Sequence, residues 1–191
     1  NVGRVIARPF VGSTDDGWKR TKNRRDYAMM PPRSVLIDWV KASGGKTYAI
    51  GKIGDIFSMR NIDHNFTGSD LDLMAQLQKQ IESAEDGSLT FANFVEFDSL
   101  FGHRRDPTGY AKALEWFDKE IVSVVKNLLE DDLLIITADH GNDPTWSGTD
   151  HTREQVPVLI KGKADFIQSG IEFRDVAKLA SKHLGVAIPD P

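Results

Sequence analysis

Three of the five histidines in the sequence lie near an aspartate, beside the ends of predicted strands. His103 follows Asp98 by five residues, and His140 directly follows Asp139. His151 lies in a loop just before a further predicted strand. Carboxylate and imidazole groups are the ligands of zinc, manganese and iron sites. A single Asp–His pair more often makes a hydrogen-bonded turn, but three such clusters together favour a metal site.

The number of candidate ligands suits one complete ion site and part of a second. Asp98, His103 and His151 would give one ion three protein ligands and an open position, as a catalytic metal needs. Asp139 and His140 would give a second ion only two ligands. Two divalent ions roughly 3.5–4 Å apart are the usual arrangement for phosphoryl transfer. The residues therefore indicate a two-ion site from which some ligands are missing.

Other polar residues near these clusters have simpler interpretations. Asp106 precedes Pro107 and is predicted to cap a helix. His183 is expected at the edge of the core, and His64 in a solvated loop. Glu96, an acid in an apolar strand, is predicted either at a sheet edge or as a group that orients a metal ligand.

Helices and strands alternate from residue 34 onward, and they must position these residues. Predicted strands span residues 47–53, 89–97, 133–137 and 156–161. Three predicted helices have Ser34, Asp70 and Asp106 as their caps, and a fourth begins at Phe173. This alternation predicts the α/β class, with a three-layer, mostly parallel sheet and helices on both faces. Because the strands of a parallel sheet end at one edge, we expect the Asp–His clusters to meet there.

The first thirty residues differ in character from the rest. A short strand over residues 4–10 is predicted to stop at Pro9, and a polar loop follows it. The loop carries a basic run of Lys19, Arg20, Lys22, Arg24 and Arg25, and it ends before Pro31-Pro32, which marks a boundary. The run is interpreted as a solvated loop, with direct contact to an anionic substrate as the alternative.

Composition excludes several classes of protein. The chain has 191 residues, 40% of them hydrophobic and 27% charged, which suits one ordinary domain or a large piece of one. A net charge of −4 argues against a nucleic-acid partner, and the absence of long apolar runs argues against a membrane span. The absence of cysteine excludes disulfides, cysteine-ligated zinc and thiol catalysis, and it favours the cytoplasm. No signal-peptide pattern opens the chain, although it begins at Asn1 without a methionine.

The stretches around the Asp–His clusters closely resemble the phosphopentomutase family, within the alkaline phosphatase superfamily. They cover residues 98–106, 137–146 and 148–154, and they contain Gly-His-Arg-Arg-Asp and Asp-His-Gly-Asn-Asp-Pro-Thr-Trp. Residues 3–10, 23–28 and 50–53 also resemble this family, so the likeness covers essentially the whole chain.

The resemblance implies a domain organisation. Residues 1–29 would be the tail of an inserted α+β cap domain, and residues 30–191 the second half of the metal-binding core. The sheet of this core would be incomplete. One further aspartate ligand, and the threonine that carries the phosphoryl group, would belong to an amino-terminal half of the same protein that is absent from this sequence.

The resemblance also implies an activity and a set of site residues. The activity is interconversion of ribose 1-phosphate and ribose 5-phosphate, or their deoxy forms, with two Mn²⁺ ions and a sugar bisphosphate activator. Asp98, His103 and His151 match the ligands of one ion, and Asp139 and His140 match ligands of the other. The positions that match substrate-binding residues are Arg4, Ile6 and Lys52, with Arg25 as a weaker candidate.

Three alternatives remain open from the sequence. The protein could be another enzyme of the superfamily, such as a cofactor-independent phosphoglycerate mutase, a phosphatase or a phosphodiesterase. The chain by itself could be an inactive metal-binding fragment, since it holds no nucleophile that matches the family. A nucleic-acid module would rest on the basic run of residues 19–25 alone, without interleaved stacking aromatics.

Overall fold

The computed structural model describes residues 3–21, 23–163 and 170–189. The strands are β1 (Arg4–Ala7), β2 (Phe10–Ser13), β3 (Gly17–Arg20), β4 (Arg25–Ala28), β5 (Thr47–Gly51), β6 (His64–Phe66), β7 (Leu89–Asn93), β8 (Leu134–Thr137) and β9 (Val158–Lys161). The helices are α1 (Leu36–Ala42), α2 (Ile53–Ile56), α3 (Asp70–Ser83), a π-helix (Phe97–Gly102), α4 (Pro107–Asn127) and α5 (Phe173–Leu184).

The core is built on the three-stranded parallel sheet β6-β5-β7, with β5 buried along its whole length. Successive side chains of a strand point to opposite faces, so Ala49 and Ile50 face different layers. Ile50 packs with Leu73 of α3 and Val124 of α4. Ala49 packs on the other face with Ile37 of α1. Helices therefore cover both faces, and the predicted α/β class is confirmed.

The second sheet differs from the prediction. Strands β8 and β9 pair antiparallel in a two-stranded sheet of their own, with Thr137 opposite Val158. A parallel pair needs a crossover connection, usually a helix, to carry the chain back to the same end. The connection over residues 138–157 contains no helix and stays at the edge where β8 ends. Among the described residues, the predicted mostly parallel arrangement therefore holds for β5, β6 and β7, while β9 runs antiparallel to β8.

The amino-terminal residues form more strand than predicted. After Pro9 the chain continues as β2, which turns back into β3, while β1 pairs with β4. The ring of Phe10 packs edge-to-face on Trp18 across this hairpin, at 5.4 Å between centroids. Pro9 interrupts the strand because it lacks an N–H, but its carbonyl still accepts the N–H of Thr21. Of the basic run, Lys22 lies outside the described residues.

Helix α4 starts, and α5 ends, where the sequence predicts. Asp106 accepts the Gly109 N–H at 2.9 Å, and Pro107 is the first residue of α4. Helix α5 spans the predicted residues, and Gly185 ends it in the left-handed conformation with φ of 64°.

Two predicted caps are wrong by one residue. Helix α1 is preceded by Val35 rather than Ser34, and the carboxylate of Asp38 accepts the Val35 N–H at 2.8 Å. Helix α3 is capped by Ser69, whose hydroxyl pairs with the backbone N–H of Asp72. A serine with an acid three residues later is a capping pair, and Asp70 is thereby freed for another role.

Two further boundaries differ from the sequence prediction. Strand β7 ends at Asn93 instead of residue 97, and the chain then leads into the π-helix of residues 97–102, which holds Asp98. His64 lies in the short strand β6 instead of a loop, and its ring stacks on Tyr48 at 5.2 Å. Within the described residues, no helix combines the length and the apolar composition that a membrane crossing requires.

Candidate metal centre

Asp98 lies at the middle of a cluster of histidines. One carboxylate oxygen lies 3.3 Å from Nε2 of His103, and the other lies 3.3 Å from Nε2 of His151. Ligand atoms of Asp98, His140 and His151 all lie within 4.8 Å of one another. A single carboxylate thus lies between an imidazole at the end of its own π-helix and one from the loop before β9.

The three imidazole rings form a stack. The ring of His151 lies between those of His140 and His103, with centroid distances of 3.7 Å and 4.9 Å. Asp139 joins the cluster through His140, with 3.6 Å from its carboxylate oxygen to Nε2. The structure therefore brings all five residues predicted as metal ligands to one place. The tightest group contains His140, which the sequence assigned to the second ion.

The antiparallel pairing of β8 and β9 explains why these residues meet. A residue that precedes a strand of a parallel sheet lies at the edge opposite to the strand ends, so His151 would be remote from Asp139. Since β9 runs antiparallel to β8, the start of β9 lies beside the end of β8. A bridge between Gly141 and Thr152 extends this pairing into the loop. The Asp–His clusters meet as predicted, but the prediction assumed that the strand after His151 runs parallel to β8, whereas β9 runs antiparallel to it.

The donor spacing fits a divalent ion. Donor atoms bound to one tetrahedral ion at about 2.0–2.1 Å lie roughly 3.3–3.4 Å from each other. The two distances from Asp98 to its histidines are 3.3 Å each. Nitrogen and carboxylate donors without thiolates suit zinc, manganese or iron. The residues present therefore fit a bound divalent metal.

Asn142 holds the Asp98 carboxylate in place. Its side-chain N–H donates to a carboxylate oxygen at 2.6 Å, across 44 positions of sequence. Gly102, at the end of the π-helix, is buried against Asn142, and a Cβ there would lie 2.5 Å from Nδ2. Only glycine permits this approach. The sequence did not single out Asn142, although it lies within the Asp-His-Gly-Asn motif.

The loop after β8 is fixed by short polar contacts. The Thr152 hydroxyl oxygen accepts the Asp143 N–H at 2.6 Å, and the hydroxyl donates to Glu154 at 2.6 Å. Hydrogen bonds from the Thr145 side chain and N–H hold the pKa of Asp143 below its ordinary value. Thr152 and Asp143 therefore fix the loop that carries His140 and His151.

The side chain of Asp70 joins α3 to the segment that leads into the π-helix. Its two carboxylate oxygens accept the N–H groups of Val95 and Glu96 at 3.1 and 3.0 Å. Burial raises the pKa of Asp70 to about 6, and the negative charge of Glu96 acts in the same direction. The two backbone hydrogen bonds and the positive charge of Lys52 act in the opposite direction.

This raised pKa predicts a pH-dependent stability. An acid whose pKa is higher in the folded state stabilises that state by its full amount when the pH is below its ordinary pKa of 3.8. This stabilisation is lost as the pH rises through the folded-state pKa of about 6. The loss amounts to about 3 kcal/mol for Asp70. We expect Asp70→Asn, which stays neutral, to gain about that much relative to the wild type between pH 4 and 7. Urea unfolding of the intact protein at several pH values measures it.

Asp72 offers a matched control on the same helix. Hydrogen bonds from Ser69 hold the pKa of the exposed Asp72 carboxyl below its ordinary value. Its contribution is therefore present at high pH and lost on acidification, so Asp72→Asn is expected to change the pH dependence in the opposite direction. Parallel pH curves for Asp70→Asn and the wild type would contradict the role given to Asp70.

The residues predicted to bind substrate lie around a second charged cluster. Arg24 on the approach to β4 binds Asp26 through two hydrogen bonds of 2.8 and 2.7 Å, and Arg4 of β1 lies 3.8 Å from the same carboxylate. The hydrogen bond from Arg24 lowers the pKa of Asp26, and the charges of Arg4 and Lys52 act in the same direction. Ile6 faces Asp26 in the β1–β4 pair and is exposed.

Lys52 connects this charged cluster with the candidate metal centre. It follows β5 directly and is half-buried. Burial lowers the pKa of Lys52, and the charges of Arg24 and Arg4 act in the same direction, whereas Asp26 and Asp98 oppose it. The charges of Arg4 and Asp98 thus both act on the Lys52 ammonium. The sequence did not identify Arg24 and Asp26 as the pair that holds these cations together.

Comparison with known proteins assigns the chain to a family. The family model described as the metalloenzyme superfamily matches residues 4–188. The chain therefore belongs to the metalloenzyme superfamily. A solved 2-O GAG sulfatase has the same fold, with a TM-score of 0.59 and 14% identity over 83% of this chain and 54% of that one.

Curated relatives named phosphopentomutase are much more similar in sequence. The relative from Actinobacillus succinogenes is 46% identical, over 98% of this chain and 49% of its own length. The relative from Rhizobium meliloti is 47% identical, over 98% and 47%. That from Chromohalobacter salexigens is 53% identical, over 85% and 39%. The resemblance to phosphopentomutases is thereby confirmed, and the chain spans about half the length of the curated relatives it matches.

Proposed function

We propose that the protein containing this chain is a phosphopentomutase, which interconverts ribose 1-phosphate and ribose 5-phosphate or their deoxy forms. One observation carries the proposal. Asp98 meets His103 at the end of its own π-helix, and His140 and His151 of the β8–β9 connection, in a chain that is 46–53% identical to phosphopentomutases. We also propose that the enzyme is cytoplasmic, in line with the absence of cysteine from the sequence.

We further propose that the cluster holds two Mn²⁺ ions, one bound by Asp98, His103 and His151 and the other by Asp139 and His140. The distances of 3.3 Å from Asp98 to two histidines support the first group. The distance of 3.6 Å between Asp139 and His140 supports the second. When bound, such ions stabilise the negative charge of a transferring phosphoryl group.

The second ion needs ligands beyond the two in this chain, which is the basis for a further proposal. An amino-terminal half of the same protein would supply an aspartate ligand and a phosphorylated threonine. In the reaction, the threonine oxygen–phosphorus bond breaks as a sugar hydroxyl takes the phosphoryl group and releases its proton, which gives a sugar bisphosphate. The threonine oxygen then accepts the other phosphoryl group, and the remaining sugar oxygen is protonated. A sugar bisphosphate would activate the enzyme by phosphorylating the threonine.

Cations of this chain would bind the phosphate group that is not being transferred. The charges of Arg4 and Lys52 both lower the pKa of Asp26, and the exposed Ile6 pairs with Asp26 across β1 and β4. The proposed division places Arg4 and Ile6 in a cap segment of residues 1–29, and Lys52 in the core of residues 30–191. Contacts between the two include Ser58 Oγ, which donates to the carbonyl of Ala28 at 3.0 Å.

Substrate comparison tests the proposal. We expect the intact protein, supplied with Mn²⁺ and a sugar bisphosphate, to convert ribose 1-phosphate to ribose 5-phosphate and to leave 2-phosphoglycerate unchanged. Removal of the metal by a chelator should stop the reaction, and Mn²⁺ should restore it. Turnover of 2-phosphoglycerate alone would identify a phosphoglycerate mutase instead. Turnover by the 191-residue chain alone would show that no other part of the protein is needed, against the proposed threonine.

A further inference from the structure

The guanidinium of Arg105 makes five hydrogen bonds, none of them to a carboxylate. Nε donates to the carbonyl of Gly148 at 2.6 Å, and Nη2 donates to that of Asp150 at 2.6 Å. Nη1 donates to the carbonyl of Gly102 at 3.0 Å and to two groups of the loop after β8, the Asn142 side-chain oxygen at 2.6 Å and the Asp143 carbonyl at 2.9 Å. All five acceptors are therefore uncharged oxygens, four backbone carbonyls and one side-chain amide.

The acceptors belong to the π-helix and to two stretches of the β8–β9 connection, the segments that carry the candidate ligands. Gly102 directly precedes His103, and Asp150 directly precedes His151. Asn142 follows His140 by two residues. Its side-chain oxygen accepts from Arg105, and its side-chain N–H donates to Asp98. One guanidinium thus reaches the π-helix, the loop after β8 and the loop before β9.

A further contact closes the arrangement. The ring nitrogen Nδ1 of His103 lies 2.5 Å from the carbonyl oxygen of Thr149, between the two carbonyls that Arg105 binds. This contact fixes the ring so that Nε2 points at Asp98. An imidazole whose second nitrogen is held by a carbonyl is oriented for metal binding through the first.

The backbone of Arg105 supports the same interpretation. Its φ is 53°, in the left-handed region that a long side chain adopts at a cost in free energy. The five hydrogen bonds of the side chain offset this cost. Lysine offers three donors without a planar fork, so it could not bind the same set of carbonyls.

We propose that Arg105 is the positioning residue of the metal centre, because it joins the ligand-bearing loops before any ion binds. It does not touch the reacting atoms. Its effect on the ligands runs through Asn142 to Asp98, and through the 148–150 segment to His103 and His151. The kinetic part of the test rests on the proposed function, but the metal titration does not.

The test measures Mn²⁺ affinity by calorimetry in the intact protein. We expect Arg105→Ala to weaken Mn²⁺ binding about 10–100-fold, and Arg105→Lys to weaken it less. Arg104 is the matched control, because it is adjacent in sequence and exposed, and its side chain makes no hydrogen bond or ion pair with any described residue. Arg104→Ala should stay within about twofold of the wild type. Hydrogen exchange of backbone amides in residues 141–152 should rise in Arg105→Ala before metal is added, and not in Arg104→Ala.

Asn142→Ala keeps the guanidinium and removes its link to Asp98, and it too should weaken Mn²⁺ binding. If Arg105→Ala does not fold, the Mn²⁺ affinities of Asn142→Ala and Arg105→Lys test the positioning role of Arg105 instead. In the kinetic assay, the Mn²⁺ concentration for half-maximal activity should rise in Arg105→Ala. The KM for ribose 5-phosphate, measured at saturating Mn²⁺, should stay unchanged in the same variant.

The proposal would be overturned if folded Arg105→Ala bound Mn²⁺ with an affinity within about twofold of the wild type. It would also be overturned if Arg105→Lys and Asn142→Ala both kept an affinity in that range. A wild-type protein that binds no Mn²⁺ would overturn it as well. A wild type that binds Mn²⁺ but does not convert pentose phosphates would contradict the proposed function only, and the titrations would still test Arg105.

Discussion

Asp98→Asn is expected to lower the affinity of the intact protein for Mn²⁺ by at least about tenfold. Turnover of ribose 5-phosphate should fall by at least about a hundredfold, because the site then lacks much of the charge that stabilises the transferring phosphoryl group. The reason is geometric: one carboxylate lies 3.3 Å from two imidazoles of different loops. No other described carboxylate has this position.

Asparagine is the informative replacement at this position. Its side-chain oxygen can still accept the hydrogen bond that Asn142 donates to Asp98 at 2.6 Å, so the loop contact survives while the negative charge is lost. Asp118→Asn, on the exposed face of α4, removes the same charge elsewhere and should change neither affinity nor turnover. His183→Ala should likewise leave activity near the wild type. Unchanged metal stoichiometry and affinity in Asp98→Asn would remove Asp98 from the ligand set.

The parts of the fold that could be predicted from sequence depend on neighbouring residues. A carboxylate followed by proline predicts the start of α4, and a glycine in the left-handed region ends α5. The apolar spacing of α3 and α4 predicts their buried faces, which meet on Ile50. Such signals act within a few positions, and they hold in the structure because local and tertiary preferences agree.

The errors arise where distant residues decide the structure. The direction of β9 depends on its pairing with β8, and no residue of β9 encodes that direction. Strand β7 ends at Asn93 instead of residue 97, and the N–H groups of Val95 and Glu96 donate to Asp70, from 25 and 26 positions away, rather than to a neighbouring strand. Local propensity cannot anticipate such contacts.

The candidate site was easier to predict than the sheet that carries it. Ligand types and their motifs identify Asp98, His140 and His151 without any topology. The groups that orient them were missed, since Asn142 and Arg105 act through contacts 37 to 45 positions apart. An amide or a guanidinium has many ordinary uses, so its type alone does not indicate a role at a metal centre.

Lys52→Met should separate binding of the substrate phosphate from stability of the fold. Loss of a charge-assisted hydrogen bond worth about 1.5–3 kcal/mol predicts a fall of roughly 10–150-fold in kcat/KM for ribose 5-phosphate, with most of it in KM. The pKa of Lys52 is lowered by burial and by the charges of Arg24 and Arg4, so the charged form destabilises the fold at neutral pH. Methionine removes this penalty at similar length.

The expected signs are therefore opposite: affinity for the sugar phosphate falls, while the free energy of unfolding stays equal or rises. If Lys52 only supported the fold, its replacement would lower the free energy of unfolding and leave the affinity for the sugar phosphate unchanged. Lys79→Met, on the exposed face of α3, is the control and should change neither quantity. Calorimetry with ribose 5-phosphate and urea unfolding on the same preparations measure both. A destabilised Lys52→Met with unchanged KM would mean that Lys52 serves the fold, and that the phosphate is held by other cations.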